Sequence, residues 1–216
     1  MKIFNRVLKK YISSIIILTI LTIVCFRIYD DLRKTTSLIE AYKIAYNAVY
    51  EKNSRVLLIH LTSADSMYHP EDSKAGANGR RRYWNLSFTV PNISEGWIVQ
   101  IKDRKIKNIV KVSTMINNTS ILIDDMEHFI DSKEALKIAK RKYHLKPGEG
   151  WAIGYHFTMD KSGGIIIIDV VGRDNQNNFS RISINAKTKE IVNAIHKVPI
   201  GDGKYQWEKF DKETNP

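Results

Sequence analysis

Two hydrophobic rhythms run along this chain, and each occurs twice. Residues 40–46 read EAYKIAY and residues 134–140 read EALKIAK. At helical spacing, Ala41, Ile44, Ala45, Ala48 and Val49 share one face in the first segment, as do Ala135, Ile138, Ala139 and Tyr143 in the second. Ser37 stands three residues before Glu40 and Asp131 three before Glu134, the spacing at which a cap side chain and a Glu satisfy each other's free backbone N–H groups. Behind each helix come four segments with the two-residue period of strands. They are RVLLIHLTS (55–63), RYWNLSFTV (82–90), WIVQI (97–101) and KIKNIVKV (105–112), then WAIGYHFTM (151–159), GIIIIDVVG (164–172), FSRISI (179–184) and EIVNAIHKV (190–198). Trp151, Ile153, Tyr155, Phe157 and Met159 share one strand face, with His156 on the other.

The expected fold class is therefore α+β: two small tandem domains, each a helix packed on an antiparallel sheet, behind one transmembrane helix. The expected boundaries are a leader at 1–10, an anchor at 11–28, a first domain at 35–115, a linker at 116–130, a second domain at 131–200 and a tail at 201–216. The anchor rests on residues 11–26 (YISSIIILTILTIVCF), which carry no charge and follow Lys2, Arg6, Lys9 and Lys10. As a helix this run reaches about 24 Å, which flanking Lys10 and Arg27 extend by snorkelling toward a hydrocarbon core of about 30 Å. The basic leader stays in the cytoplasm under the positive-inside rule, so the rest is expected outside, as a single-pass cell-membrane protein. The segment ends without the small residues of a signal-peptide cleavage site.

Composition adds little that is specific. With 43% hydrophobic and 26% charged residues the chain is that of a folded protein, and its one cysteine, Cys25, excludes a disulfide framework. Four of the 34 Lys and Arg precede the apolar run, so the remainder carries about +7 against 23 Asp and Glu. Outside a membrane such a surface meets anionic polymers and head groups, and no nucleic acid is expected.

No local pattern of catalysis is present: H-E-x-x-H, G-x-S-x-G and G-x-x-x-x-G-K-[ST] are all missing. No catalytic residue, cofactor or metal site is expected, and the chain is read as not an enzyme. His60 and His156 occupy equivalent strand positions but fall in separate expected domains, and read as inherited surface positions. The run Asp124-Asp-Met-Glu-His128 precedes a helix cap, where acidic residues suit the positive helix end. The long loop 64–80 is where a binding function is most easily added. The densest cationic and aromatic stretch is Arg80-Arg-Arg-Tyr-Trp84, which makes Arg80, Arg81, Arg82 and Tyr83 the candidate partner-binding residues.

The second unit, EALKIAKRKYHLKPGEGWAIGYHF followed by GIIIIDVVGRDNQNNFSRISINAKTKEIVNAI, resembles a PepSY domain, with its E-A-x-x-I-A helix and a closing hairpin at residues 185–191 (NAKTKEI). Lys189 stands where that family's hairpin has Gly, and the first unit is similar but more divergent. The resemblance implies a membrane-anchored extracytoplasmic binding protein of a Gram-positive envelope. Its implied partner is an envelope protein, a peptidase or a regulator, which it modulates. An anionic wall polymer is the alternative partner, and a metal-dependent hydrolase the remaining class.

Overall fold

The computed structural model describes residues 2–65, 74–113, 119–124, 126, 128–150 and 152–210. Three α-helices form among the described residues: α2 (Leu38–Tyr50) and α3 (Ser132–Tyr143) where the apolar stripes predict them, and α1 (Lys2–Lys34), which runs past both ends of the expected 11–28 span. Ser37 caps α2 in extended conformation, its hydroxyl oxygen accepting the Glu40 N–H at 3.4 Å. At α3 the expected box is replaced by an exchange between the two helices. Asp131 Oδ1 accepts the Ser132 N–H at 2.7 Å and, across the molecule, the Ile39 N–H at 3.1 Å, while Ser132 Oγ accepts the Leu38 N–H at 3.0 Å. The second helix thus supplies cap oxygens to the first.

The strands are β1 (Leu57–Ala64), β2 (Tyr83–Thr89), β3 (Gly96–Lys102), β4 (Lys105–Val112), β5 (His156–Ser162), β6 (Ile165–Arg173), β7 (Phe179–Asn185), β8 (Ile191–Gly201) and β9 (Lys204–Lys209). They form one antiparallel sheet in the order β4-β3-β2-β1-β5-β6-β7-β8-β9. The expectation of two separate domains is corrected here: among the described residues the fold is a single α+β unit of three helices and one nine-stranded sheet, with α2 and α3 packed on the sheet. In isolation each meander would leave β1 or β5 as a bare edge, with unpaired N–H and C=O groups. Instead β1 and β5 pair with each other, Leu61 opposite Met159 and Thr62 opposite Thr158. The core crosses the seam with them: Trp84 of β2 stacks on Phe157 of β5 with ring centroids 6.4 Å apart, and both side chains are fully buried.

Two further expectations change. Strand β5 starts at His156, because Gly148 and Gly154 are bridged to each other before it; Trp151 lies outside the described residues. The segment 201–210, expected in a tail, contains β9, which folds back on β8 through a turn with Asp202 and Gly203 at positive φ.

Among the described residues no helix is long and apolar enough to cross a membrane. That finding overturns the expected anchor, and with it the single-pass membrane location and extracytoplasmic placement. The sixteen uncharged residues of 11–26 fall short of a core of about 30 Å, and charged residues occupy both ends of the same 33-residue helix.

Candidate functional site

Helices α2 and α3 both contact the sheet, α2 over β1–β4 and α3 over β6. Side chains that alternate toward them are buried, including Leu61, Leu86, Val99, Met159, Ile168 and Ile182. The intervening positions look out from the opposite face, and there the registers line up a row that crosses eight strands. From the first half come Asn108, Gln100 and Asn85, each directly opposite the next. Thr62 follows, opposite Asn85 on one side and Thr158 on the other. Asp169, Ser183 and Asn193 complete the row in the second half. Every member is polar.

The centre of the row is internally satisfied. Thr62 and Thr158 hydroxyls lie 3.2 Å apart, and Ser183 donates to Asp169 at 2.5 Å. Burial pushes the Asp169 carboxyl above the usual range; the Ser183 hydrogen bond and Arg181 pull it down, and the Asp160 charge adds to the rise. The flanks are different. The amides of Asn85, Gln100, Asn108 and Asn193 make no hydrogen bond to any described residue, and all four side chains are at least partly exposed.

The seam adds two histidine–aspartate pairs. His60 Nδ1 lies 2.5 Å from Asp160 Oδ1, and that hydrogen bond, opposed by burial and helped by the Asp160 charge, raises the imidazole above its ordinary value. His156 Nε2 lies 3.1 Å from Asp65 Oδ2, and its Nδ1 lies 3.1 Å from Ser63 Oγ. Burial alone would raise the Asp65 carboxyl. The His156 hydrogen bond and charge, with the Arg81 guanidinium, outweigh it and hold the carboxyl below the usual range. The order Ser63–His156–Asp65 is that of a nucleophile, a base and its orienter. Here the Ser63 oxygen accepts the Phe157 N–H at 2.9 Å and the residue is 5% exposed, so the hydroxyl extends the β1–β5 ladder past the last paired residues.

The expected partner-binding residues divide. Arg80 makes a two-pronged bond to Glu40, at 3.0 and 2.7 Å, and also reaches the Thr35 carbonyl. Arg81 is buried at the seam, donating to Asp65, to the Ile153 carbonyl at 2.9 Å and to the Ala64 carbonyl at 3.3 Å. Arg82 bonds Asp103 at 2.6 Å. Tyr83 alone stands on the open face, next to Ala64 and Lys102 in register, with Lys102 Nζ 5.5 Å from its ring centre. Trp84, the last letter of the motif, is core.

Of the loop 64–80, residues 66–73 lie outside the described residues; residues 74–80 stitch the halves together. The Ala75 carbonyl accepts the Tyr155 N–H at 2.8 Å, and Gly76 and Gly154 lie so close to the opposing backbone that a Cβ on either would collide with a carbonyl. Asp125 and Glu127 of the acidic run are likewise outside the described residues. Among the described residues no group of three or more His, Cys, Asp or Glu is placed to hold a metal ion.

Sequence reasoning missed Asp65, Ser63, Asp160, Asp169 and the amide row. Alternation in β2, β3 and β6 marks the row's members as facing away from the core, but only the cross-strand registers show that they are neighbours.

No protein-family model matches the chain, and no curated protein matches it. Among solved structures it is similar to a putative lipoprotein from Clostridium difficile 630, at 11% identity and a TM-score of 0.49, over 72% of this chain and 91% of that one. At that level the likeness carries no argument. The PepSY resemblance is corrected accordingly: its motif letters are those of any capped amphipathic helix, and the two units carrying them are halves of one sheet. The envelope partner implied by that resemblance falls with it, and the wall polymer, expected from surface charge, gains no support from any match. The membrane contact through the first helix falls with the anchor. The arginines that favoured a polyanion spend their charge on Glu40, Asp65 and Asp103.

Proposed function

We propose that this chain is a non-catalytic binding module whose open sheet face takes a neutral, polyhydroxylated chain, a glycan, laid across the strands. The observation that carries this reading is the transverse row with four amides that have no hydrogen-bond partner among the described residues. A carboxamide both donates and accepts, as a sugar hydroxyl does, so a row of amides matches a row of hydroxyls without regard to charge. Eight strands at about 4.8 Å spacing make the row roughly 34 Å long, enough for several sugar units in an extended chain. Tyr83 lies beside Asn85 on the same face and offers an aromatic flank.

The test is calorimetric titration of the full chain with neutral polysaccharides and with anionic ones. The expected result is binding of a neutral glycan that survives an increase from about 50 to 500 mM salt, because no ion pair is involved. Asn85→Ala with Gln100→Ala should abolish it while leaving the unfolding midpoint in place, since exposed side chains away from special features change stability by only about 0.5 kcal/mol. Binding only to polyanions, lost in salt, would refute the reading. So would binding indifferent to the double substitution.

A further inference from the structure

The edge strand β9 is exposed at every position from Lys204 to Lys209, and its outer backbone edge pairs with no described strand. Two large aromatic side chains stand on it, Tyr205 at 55% exposure and Trp207 at 47%. An edge of this kind is a template for another strand unless it is blunted. The opposite edge, β4, is blunted by Lys105, Lys107 and Lys111, whereas β9 has its charges at the two ends and aromatics between them.

The charges on β9 are self-complementary. Two copies meeting antiparallel at this edge are related by a two-fold axis perpendicular to the sheet, which keeps each face on its own side. Side chains on the open face must then oppose side chains on the open face, which excludes every register that places Lys204 opposite Lys209. Centring the pair on Gln206 places Lys204 opposite the second copy's Glu208, and Tyr205 opposite its Trp207, each contact occurring twice. Shifting the centre to Tyr205 would set Asp202 against Glu208, two like charges; shifting it to Trp207 would leave Glu208 facing Gln206. Lys197 lies 4.8 Å from the Tyr205 ring centre and Arg181 5.5 Å from that of Trp207, holding both rings in place from the inner side.

We propose that the partner of β9 is a second copy of this chain, joined through β9 in the Gln206-centred register to continue the sheet across the two-fold axis. The occupant is fixed by the alternation of Lys, aromatic, Gln, aromatic and Glu along the strand, which reads as its own complement in the antiparallel sense.

The experiment is site-directed disulfide trapping of the full chain with Cys25→Ser, so that each introduced cysteine is the only one. Directly opposed residues of an antiparallel pair have Cα atoms about 4.5 to 5.5 Å apart, within the range a disulfide spans. Gln206→Cys should therefore give a covalent dimer as the main product with copper phenanthroline as oxidant. Lys204→Cys should not, since its two copies lie about 14 Å apart. Adding Lys204→Glu to Gln206→Cys should cut the dimer yield several-fold, and adding Glu208→Lys as well should restore it. Equal trapping at 204 and 206, no trapping at 206, or failure of the charge exchange to restore the yield would each overturn the proposal. Association through the exposed apolar residues of α1 would leave position 206 untrapped and overturn it as well.

Discussion

Replacing Arg81 with Met tests whether the two halves are one cooperative structure. The Arg81 side chain is fully buried, and its partner Asp65 is 23% exposed. The substitution removes donors to the Ile153 and Ala64 carbonyls, each worth about 1 kcal/mol net, and leaves the Asp65 carboxylate without its cation. Breaking a buried pair by deleting one partner costs about 3 to 5 kcal/mol. Asp65 retains some solvent and the His156 hydrogen bond, which places the expected loss near 3 kcal/mol, at the lower end of that range. Against a total stability of about 5 to 15 kcal/mol this is a large share. The assay is urea unfolding read by tryptophan fluorescence and by far-ultraviolet circular dichroism. With Trp151 and Trp207 replaced by Phe, fluorescence reports only Trp84 and Trp97, both buried in the first half, whereas the dichroism averages all nine strands. One sheet with one core predicts that both signals shift together to a lower midpoint at unchanged slope. Asp65→Asn in the Arg81→Met background should then cost less than it does alone. A loss under about 1 kcal/mol would refute the energetics. Two separate transitions, with only the fluorescence moved, would refute the single-sheet account.

Three further outcomes follow from the seam and the caps. Asp131→Ala removes an oxygen that two helix N-termini share, so it should cost about 2 kcal/mol where a single cap costs about 1, measured by the same unfolding curves. His60 is raised in the folded state, so its stabilisation is complete below an unfolded value of about 6.5 and fades as pH rises through the higher folded value; His60→Gln should flatten that part of the stability profile. Asp169 is also raised, so the folded state holds its proton more tightly and loses stability as pH climbs through its folded value. Asp169→Asn, which still accepts from Ser183, should therefore raise the midpoint at pH 7 and leave it unchanged near pH 3; a lower midpoint at pH 7 would contradict this.

Local structure was legible in the letters, and long-range structure was not. Ser37 with Glu40 announces α2, and the apolar stripe of α3 predicts its buried Ala135 and Ala139. The four-strand meanders were readable because each strand neighbours the next in sequence. The union of β1 with β5 left no local mark, since Thr62 and Thr158 are separated by 96 positions. A separation of 92 positions likewise hid the helix-cap exchange, in which Asp131 reaches Ile39. Strand β9 escaped notice because its alternation is short, Tyr205 and Trp207 between polar residues, and no aliphatic stripe accompanies it. The arginine run has the same limit: its charge is visible in sequence, but the carboxylates that pair with it, at Glu40, Asp65 and Asp103, come from three other segments.

The β1–β5 seam also sets an order of events as the chain folds. Each meander closes through neighbouring hairpins, whose ends meet quickly, whereas the seam must wait for residues nearly a hundred positions apart to find each other. Until it does, β1 and β5 are open edges with the same antiparallel pairing rules in every molecule. A first half that has folded offers the same edge to the second half of a neighbour as to its own, and the neighbour's share of the pairing rises with protein concentration. Concentration during refolding thus decides between a chain closed on itself and an interlocked pair that exchanges halves, a choice made by kinetics, since the contacts in the two products are the same.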